Sequence, residues 1–319
     1  MRILMLGGTS FVGRAVVEHA LDGGHDVTVF SRGRTGTELF PAVPRLTGDR
    51  DAGDYGALGG SSWDAVVDVS AYVPRHVQQA AHALGGGAGR YVFISTVSVY
   101  DHRSAPADAM TEDAMTEDAA RLPPERGTEQ VDDATYGPLK VACEDDAASL
   151  WGDRLSLVRP GVVAGPHDPT DRFTYWVRRA ALGGRVAVPG RLDQPVQVVD
   201  SRDLAGLVLA LLEADRPGTF NAVGPAQPVT LGGLVEVCAA AAGAQVELVE
   251  VTGATGPLVL PDPAWDPLFR RSAAAARAVG LGATPLATTA ADVLAWDRGR
   301  GEPELSVGLT AEQERALLG

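Results

Sequence analysis

Four consecutive apolar residues, Ile3 to Leu6, run without a polar break into Gly7-Gly8-Thr9-Ser10-Phe11-Val12-Gly13, and an amphipathic stretch from about Arg14 to Leu21 follows. A short run with no polar alternation suits a strand covered on both faces, the kind found in parallel sheets. A parallel neighbour is reached only through a long crossover, so the pattern predicts strand, loop, helix, strand. It then repeats. Strands are predicted at 26–30, ending near Leu46, at 63–69, at 91–94 and at 155–161, with helices at 77–84 and from Tyr136. This alternation predicts an α/β fold built on a doubly wound parallel sheet.

The glycine-rich loop after the first strand is a phosphate-binding arrangement. Backbone N–H groups at a helix start face a pyrophosphate, and glycine lets the chain approach it closely. Gly7, Thr9, Ser10, Phe11, Val12 and Gly13 are therefore candidate cofactor ligands. The second strand ends in Ser31-Arg32-Gly33-Arg34, with no acid between Val27 and Gly36. An acid there would grip a ribose 2′-hydroxyl, whereas arginine suits a 2′-phosphate. NADP(H) is therefore expected over NAD(H), with Ser31, Arg32 and Arg34 at that phosphate. Asp49 and Arg50 at the next strand end are further candidate cofactor residues, with Asp49 placed to accept from an adenine amino group, unless it only shapes the turn. Ser70 and Ala71 end the following strand and complete this side of the predicted cofactor cleft.

Lys140 is the single lysine of the chain; the other 26 of its 27 basic residues are arginine. It lies four positions after Tyr136, and residues i and i+4 share a helix face. Pro138 between them is tolerated only in a first helical turn, where its missing N–H costs nothing. A phenol titrates near pH 10 unless a cation favours its phenolate, so the pair reads as an acid/base group with its helper. Ser95-Thr96-Val97-Ser98 follows a strand of the sheet, and ligands bind beyond the carboxyl ends of such strands. A hydroxyl there would hold a reacting oxygen while Tyr136 moves the proton.

Residues 101–133 break the pattern. They hold ten acids and three arginines, half of the net charge of −14, and Ala109-Met110-Thr111-Glu112-Asp113 repeats as Ala114-Met115-Thr116-Glu117-Asp118. The stretch reads as a mobile loop beside the pocket. The acidic balance disfavours nucleic acid and anionic membranes as partners. Cys143 and Cys238 offer neither a disulfide framework nor metal spacing, His167 has no second ligand nearby, and no metal is expected. No leader or spanning stretch is apparent, so a cytoplasmic location is expected. Residues 1–160 read as a dinucleotide-binding domain, and 161–319 mainly as a smaller C-terminal α/β lobe with some segments returning to the sheet.

Taken together these residues resemble the extended short-chain dehydrogenase/reductase superfamily, the NAD-dependent epimerase/dehydratase type. Gly7-x-x-Ser10-x-x-Gly13 is similar to its glycine loop, and Thr96, Tyr136 and Lys140 to its catalytic triad. Arg159-Pro160-Gly161 with Gly165-Pro166, 199–205 from Val199 to Ala205, and Phe220-Asn221-Ala222-Val223-Gly224 also match in order. The resemblance implies a Rossmann-like sheet with a substrate-binding C-terminal lobe. It further implies hydride transfer between nicotinamide and a secondary alcohol or ketone, with Tyr136 as acid/base, Lys140 on the nicotinamide ribose and Thr96 on the reacting oxygen. Val162 would complete the cofactor site, and Tyr72, Ser98, Arg172, Trp176 and Gln197 the pocket of a small-molecule substrate. A homodimer through helices near 75–85 and 137–150 is usual in such proteins. Val97-Ser98 replaces the Asp-Glu pair that sugar-nucleotide dehydratases carry, which argues against dehydration. Val196 stands where an epimerase carries a phosphate-pairing arginine, and Arg191 is the candidate substitute. An NADP(H)-dependent reductase or dehydrogenase is the leading expectation. A sugar or nucleotide-sugar epimerase with retained cofactor, and a non-catalytic nucleotide-sensing or RNA-binding relative, are the alternatives.

Overall fold

The computed structural model describes residues 1–102, 115–260 and 262–319. In chain order the elements are β1 (Arg2–Leu6), α1 (Phe11–Asp22), β2 (Asp26–Ser31), β3 (Arg45–Thr47), β4 (Trp63–Asp68), α2 (Pro74–Leu84), β5 (Ala88–Ile94), α3 (Tyr136–Trp151), β6 (Leu155–Pro160), β7 (Val162–Ala164), α4 (Arg172–Ala181), β8 (Gly184–Val188), β9 (Pro195–Val196) and β10 (Val198–Asp200). There follow α5 (Ser201–Glu213), β11 (Gly218–Ala222), β12 (Val229–Thr230), α6 (Leu231–Ala241), β13 (Val246–Glu250), α7 (Ala274–Ala278), α8 (Leu286–Gly299) and α9 (Ala311–Leu318).

Seven strands form one parallel sheet in the order β11-β6-β5-β4-β1-β2-β3. The chain winds outward from β1 to β3, then returns to lay β4 on the other side of β1. That reversal puts the ligand crevice at the carboxyl ends of β1 and β4. Alternation within each strand divides the core between the two faces. Ile3 and Met5 pack with α1 and α5, while Leu4 and Leu6 pack with α2 and α3. This is why the strand reads as an unbroken apolar run. β6 is an interior strand paired with β5 on one side and β11 on the other, and the chain departs from the sheet only after it.

A second core gathers α4, α6 and α8 with the short pairs β8–β13 and β9–β12. Glu314 ties α9 to it, accepting from Arg179 Nε at 2.6 Å and from the Ala187 N–H at 3.0 Å. Among the described residues no helix is long and apolar enough to cross a membrane.

The acidic segment is only partly described: 103–114, including the first copy of the duplication, lies outside the described residues. The remainder is docked rather than a loose loop. Met115 is buried and its carbonyl accepts from Ser272 N at 3.0 Å; Glu117 accepts from Asn221 N at 2.8 Å; Arg121 pairs with Glu144 and Asp145. The sequence hides this because the partners lie far along the chain.

Gly13 shows what the glycine loop requires. A Cβ there would sit 2.3 Å from the Gly7 carbonyl oxygen, backbone that has little room to move. Gly13→Ala is expected to cost about 1–3 kcal/mol of stability and to weaken dinucleotide binding. Denaturant unfolding and cofactor titration check both; an unchanged midpoint would contradict the close packing.

Candidate active site

β5 delivers Thr96 to the mouth of the sheet. The Thr96 hydroxyl accepts from Ser98 N at 3.1 Å, capping a short 3₁₀ turn over Val97–Val99, and donates to Ser98 Oγ at 3.2 Å. α3 begins at Tyr136, with Pro138 in its first turn as expected. Its start is close-packed: a Cβ on Gly137 would lie 2.3 Å from the Ser98 carbonyl oxygen. The helix and the Thr96 turn therefore bring Tyr136 and Thr96 to the lining of one cavity.

Lys140, one turn on, is 2 % exposed. Its ammonium donates to the carbonyls of Ile94 at 2.7 Å and Ala71 at 3.0 Å and lies 4.2 Å from the centre of the Phe93 ring. Burial drives its pKa down to about 8. The Tyr136 phenol moves the other way. Burial raises it, as does Tyr72, while Thr96 and Arg172 offset part of the rise. The phenol's net direction is upward rather than the lowering expected, and Lys140 directs two of its three N–H groups to backbone carbonyls. The pair holds a protonated phenol at neutral pH, which is an acid rather than a base.

These groups line a cavity of about 670 Å³ that also reaches the glycine loop, from Gly7 and Thr9 through Ser10, Phe11, Val12 and Gly13. Ser98, Val162, Arg172 and Tyr72 line it too. A second cavity of about 210 Å³ shares Gly7, Thr9, Ser70 and Tyr72 with the first and is walled by Ser31, Arg32, Arg34 and Asp49. The two form one long cleft across the switch point. Dinucleotide chemistry fits its floor. Gly7 adopts φ +87°, Ser10 makes no capping hydrogen bond, and the first-turn N–H groups of α1 therefore have no side-chain acceptor. Arg32 and Arg34 stand 3.6 Å from Asp51 and 3.7 Å from Asp49, exposed contacts worth about 1 kcal/mol at most.

Arg50 lines the smaller cavity as expected, with its fork held by Asp68 at 2.6 and 2.7 Å, a partner 18 residues away. Several assignments are corrected. Ala71 is fully buried and contributes its carbonyl to Lys140, not a wall to the cleft. Trp176 is also fully buried in the second core, its Nε1 donating to the Pro257 carbonyl at 2.8 Å. Gln197 is clamped to the Arg271 backbone by two hydrogen bonds. Arg191 is paired with Asp266 and Asp193 and does not line the cleft. Conversely, sequence reasoning missed His76, from the first turn of α2, which is 5 % exposed, has Nε2 3.3 Å from Asp51 Oδ1, and lines the smaller cavity. It also missed the apolar wall of Leu258, Val259, Leu260, Leu268 and Phe269. The first could have been found from its position after the β4 loop; the second lies in an irregular stretch without periodicity.

Known proteins agree with this fold. The model for the NAD dependent epimerase/dehydratase family matches residues 59–223. The chloroplast stem-loop binding protein of 41 kDa b of Arabidopsis thaliana is 25% identical over 259 residues, 76% of this chain; the chain spans 63% of that protein's length. The UDP-glucuronic acid 4-epimerase of Bacillus cereus, solved with NAD, superposes with a TM-score of 0.69 at 16% identity over 94% of this chain and 99% of its own. The human epimerase family protein SDR39U1, solved with NADPH, gives 0.66 at 23% identity over 92% and 99%.

Proposed function

Because the chain belongs to the NAD dependent epimerase/dehydratase family, we propose that it is a nicotinamide-dinucleotide-dependent enzyme of the extended short-chain dehydrogenase/reductase type, an NADP(H)-dependent reductase or dehydrogenase of a small secondary alcohol or ketone. The observation that carries this reading is that Thr96, Tyr136 and Lys140 meet in one cavity continuous with the glycine loop. The bound nicotinamide supplies or takes up the hydride. Thr96 Oγ1 orients the reacting oxygen, and the buried Tyr136 hydroxyl holds the proton that this oxygen gains on reduction. Lys140, lining the same cavity, offers its third ammonium proton to a ribose hydroxyl. The loosely paired Arg32 and Arg34 can exchange Asp51 and Asp49 for a 2′-phosphate; a tenfold preference for NAD over NADP in a titration would overturn that part.

Epimerisation is the rival, and turnover separates the two. A reductase consumes NADPH mole for mole with its ketone, whereas an epimerase leaves the cofactor total unchanged. Stoichiometry measured by absorbance decides between them. The stem-loop binding of the plant relative does not suit this chain's charge of −14; stem-loop RNA retained in a low-salt filter assay would contradict that reading.

Lys140 makes cofactor affinity pH-dependent with a definite sign. Its folded pKa of about 8 lies below the ordinary lysine value, so the cation is lost as pH rises through about 8. An anionic dinucleotide prefers the ammonium, so NADPH affinity is expected to fall on the alkaline side of that pH. Lys140→Met should flatten the profile; a wild-type titration that is level across this range would refute the assignment.

A further inference from the structure

The cavity holding Tyr136 has the opposite charge to the molecule around it. The chain carries −14, yet among the described residues that line this cavity there is neither Asp nor Glu, and its cations are Lys140 and Arg172. Lys140 is engaged by two carbonyls. Arg172 is held at one edge only: its Nε donates to Thr170 Oγ1 at 3.1 Å, and that hydroxyl donates to Asp168 Oδ1 at 2.7 Å. The Thr170 N–H reaches the same oxygen at 2.8 Å, and Asp168 is 1 % exposed. This relay orients the guanidinium without placing a carboxylate against it. Nη1 and Nη2 have no partner among the described residues.

Helix stability does not account for the arginine. It is the first residue of α4, where the macrodipole disfavours a cation by about 0.3–1 kcal/mol. Nor does cofactor binding need it at the 2′-phosphate end, which Arg32 and Arg34 serve. Its charge reaches Tyr136, whose phenol it helps to hold down. The rest of that wall is apolar, with Leu260, Leu268 and Phe269.

We propose that the substrate is a small oxo acid: its carboxylate is held by the free fork of Arg172, its carbonyl faces Tyr136 and Thr96, and its apolar tail lies against Leu260 and Phe269. A planar two-donor fork with one positive charge matches a carboxylate in both shape and charge. On reduction the carbonyl carbon accepts a hydride from reduced nicotinamide and its oxygen takes the Tyr136 proton. The oxo acid becomes a hydroxy acid, the cofactor is oxidised, and solvent returns the proton. This inference rests on the oxidoreductase reading above.

A matched pair of ligands tests it without turnover. Phenylpyruvate and 1-phenylpropan-2-one share the ring, the methylene and the carbonyl, and differ by a carboxylate in place of a methyl group. Their binding to the NADP⁺-loaded protein, where no hydride can move, is measured by calorimetry. The acid is expected to bind at least about tenfold more tightly than the ketone in the unmodified protein, and Arg172→Gln to bring the two within about twofold. NADP⁺ affinity should be kept in that variant. Equal binding of the pair in the unmodified protein, binding of neither, a preference that survives Arg172→Gln, or a loss of NADP⁺ instead would each overturn the inference. Failure of the unmodified protein to bind NADP⁺ would overturn the function itself; NADP⁺ binding without preference would leave the function standing and remove only the oxo acid.

Discussion

Tyr136→Phe is expected to lower reductive kcat by about 100-fold or more, the range for removing a positioned general acid, while NADPH binding survives. The substitution removes one oxygen and leaves the ring, so the packing of α3 against the Thr96 turn is kept. Thr96 still orients the substrate oxygen, and water is a poor replacement donor in a buried cavity. Because burial and Tyr72 raise the phenol, with Thr96 and Arg172 offsetting only part, the hydroxyl stays protonated through neutral pH. Reductive kcat at saturating cofactor should therefore not fall between neutrality and pH 9, even where affinity weakens through Lys140. Single-turnover traces monitoring NADPH oxidation separate the chemical step from binding. Full turnover in the phenylalanine variant would remove Tyr136 from the mechanism.

Asp68→Ala should bring the largest loss of stability. Asp68 ends β4 beneath the smaller cavity, is fully buried, and accepts from Arg50 Nη1 at 2.6 Å, Arg50 Nη2 at 2.7 Å, Tyr91 OH at 2.7 Å and Ser70 N at 3.1 Å. Truncation strands the Arg50 guanidinium, 8 % exposed, without its counter-charge. Breaking such a pair costs about 3–5 kcal/mol, a fall in Tm of roughly 5–10 °C. Pairing the change with Arg50→Met should recover much of the loss, since an apolar replacement of both partners is often nearly neutral. Calorimetric melts of the two singles and the double decide it: a double as unstable as Asp68→Ala would mean that the ion pair is not the cause.

The same pair sets an acid limit. Burial alone would raise the Asp68 carboxyl, but Arg50, Tyr91 and the Ser70 N–H outweigh it and hold it below the ordinary carboxylate value. A depressed folded pKa gives stability that is complete above the unfolded value, about 3.9, and is lost as pH falls through the folded one. Acid unfolding of the wild type should be steeper below that point than unfolding of the double variant.

How far the sequence speaks differs from element to element for physical reasons. β1, β2, β4 and β5 are legible because strands covered on both faces need apolar runs, and the glycine loop because Gly13 has no room for a side chain. Thr96, Tyr136 and Lys140 were legible from strand end and helix spacing, and the structure brings them to one cavity. Gln197 was misjudged because a polar residue near a cleft can turn inward to a partner far along the chain, here the Arg271 backbone, and the Asp68 partner of Arg50 is hidden for the same reason. Trp176 failed for a related reason. α4 buries Phe173 through Val177 inside the second core, so only its first residue, Arg172, reaches the cavity. The apolar wall around Leu260 was invisible because an irregular segment leaves no period to read.

Having one lysine gives the molecule a built-in reporter. Near pH 8 about half of the Lys140 side chains are uncharged, and an uncharged amine is the form that acylating reagents attack. Covalent tagging of lysine thus reads a single position, and that position lines the cleft itself, so occupancy of the cleft can be followed by mass.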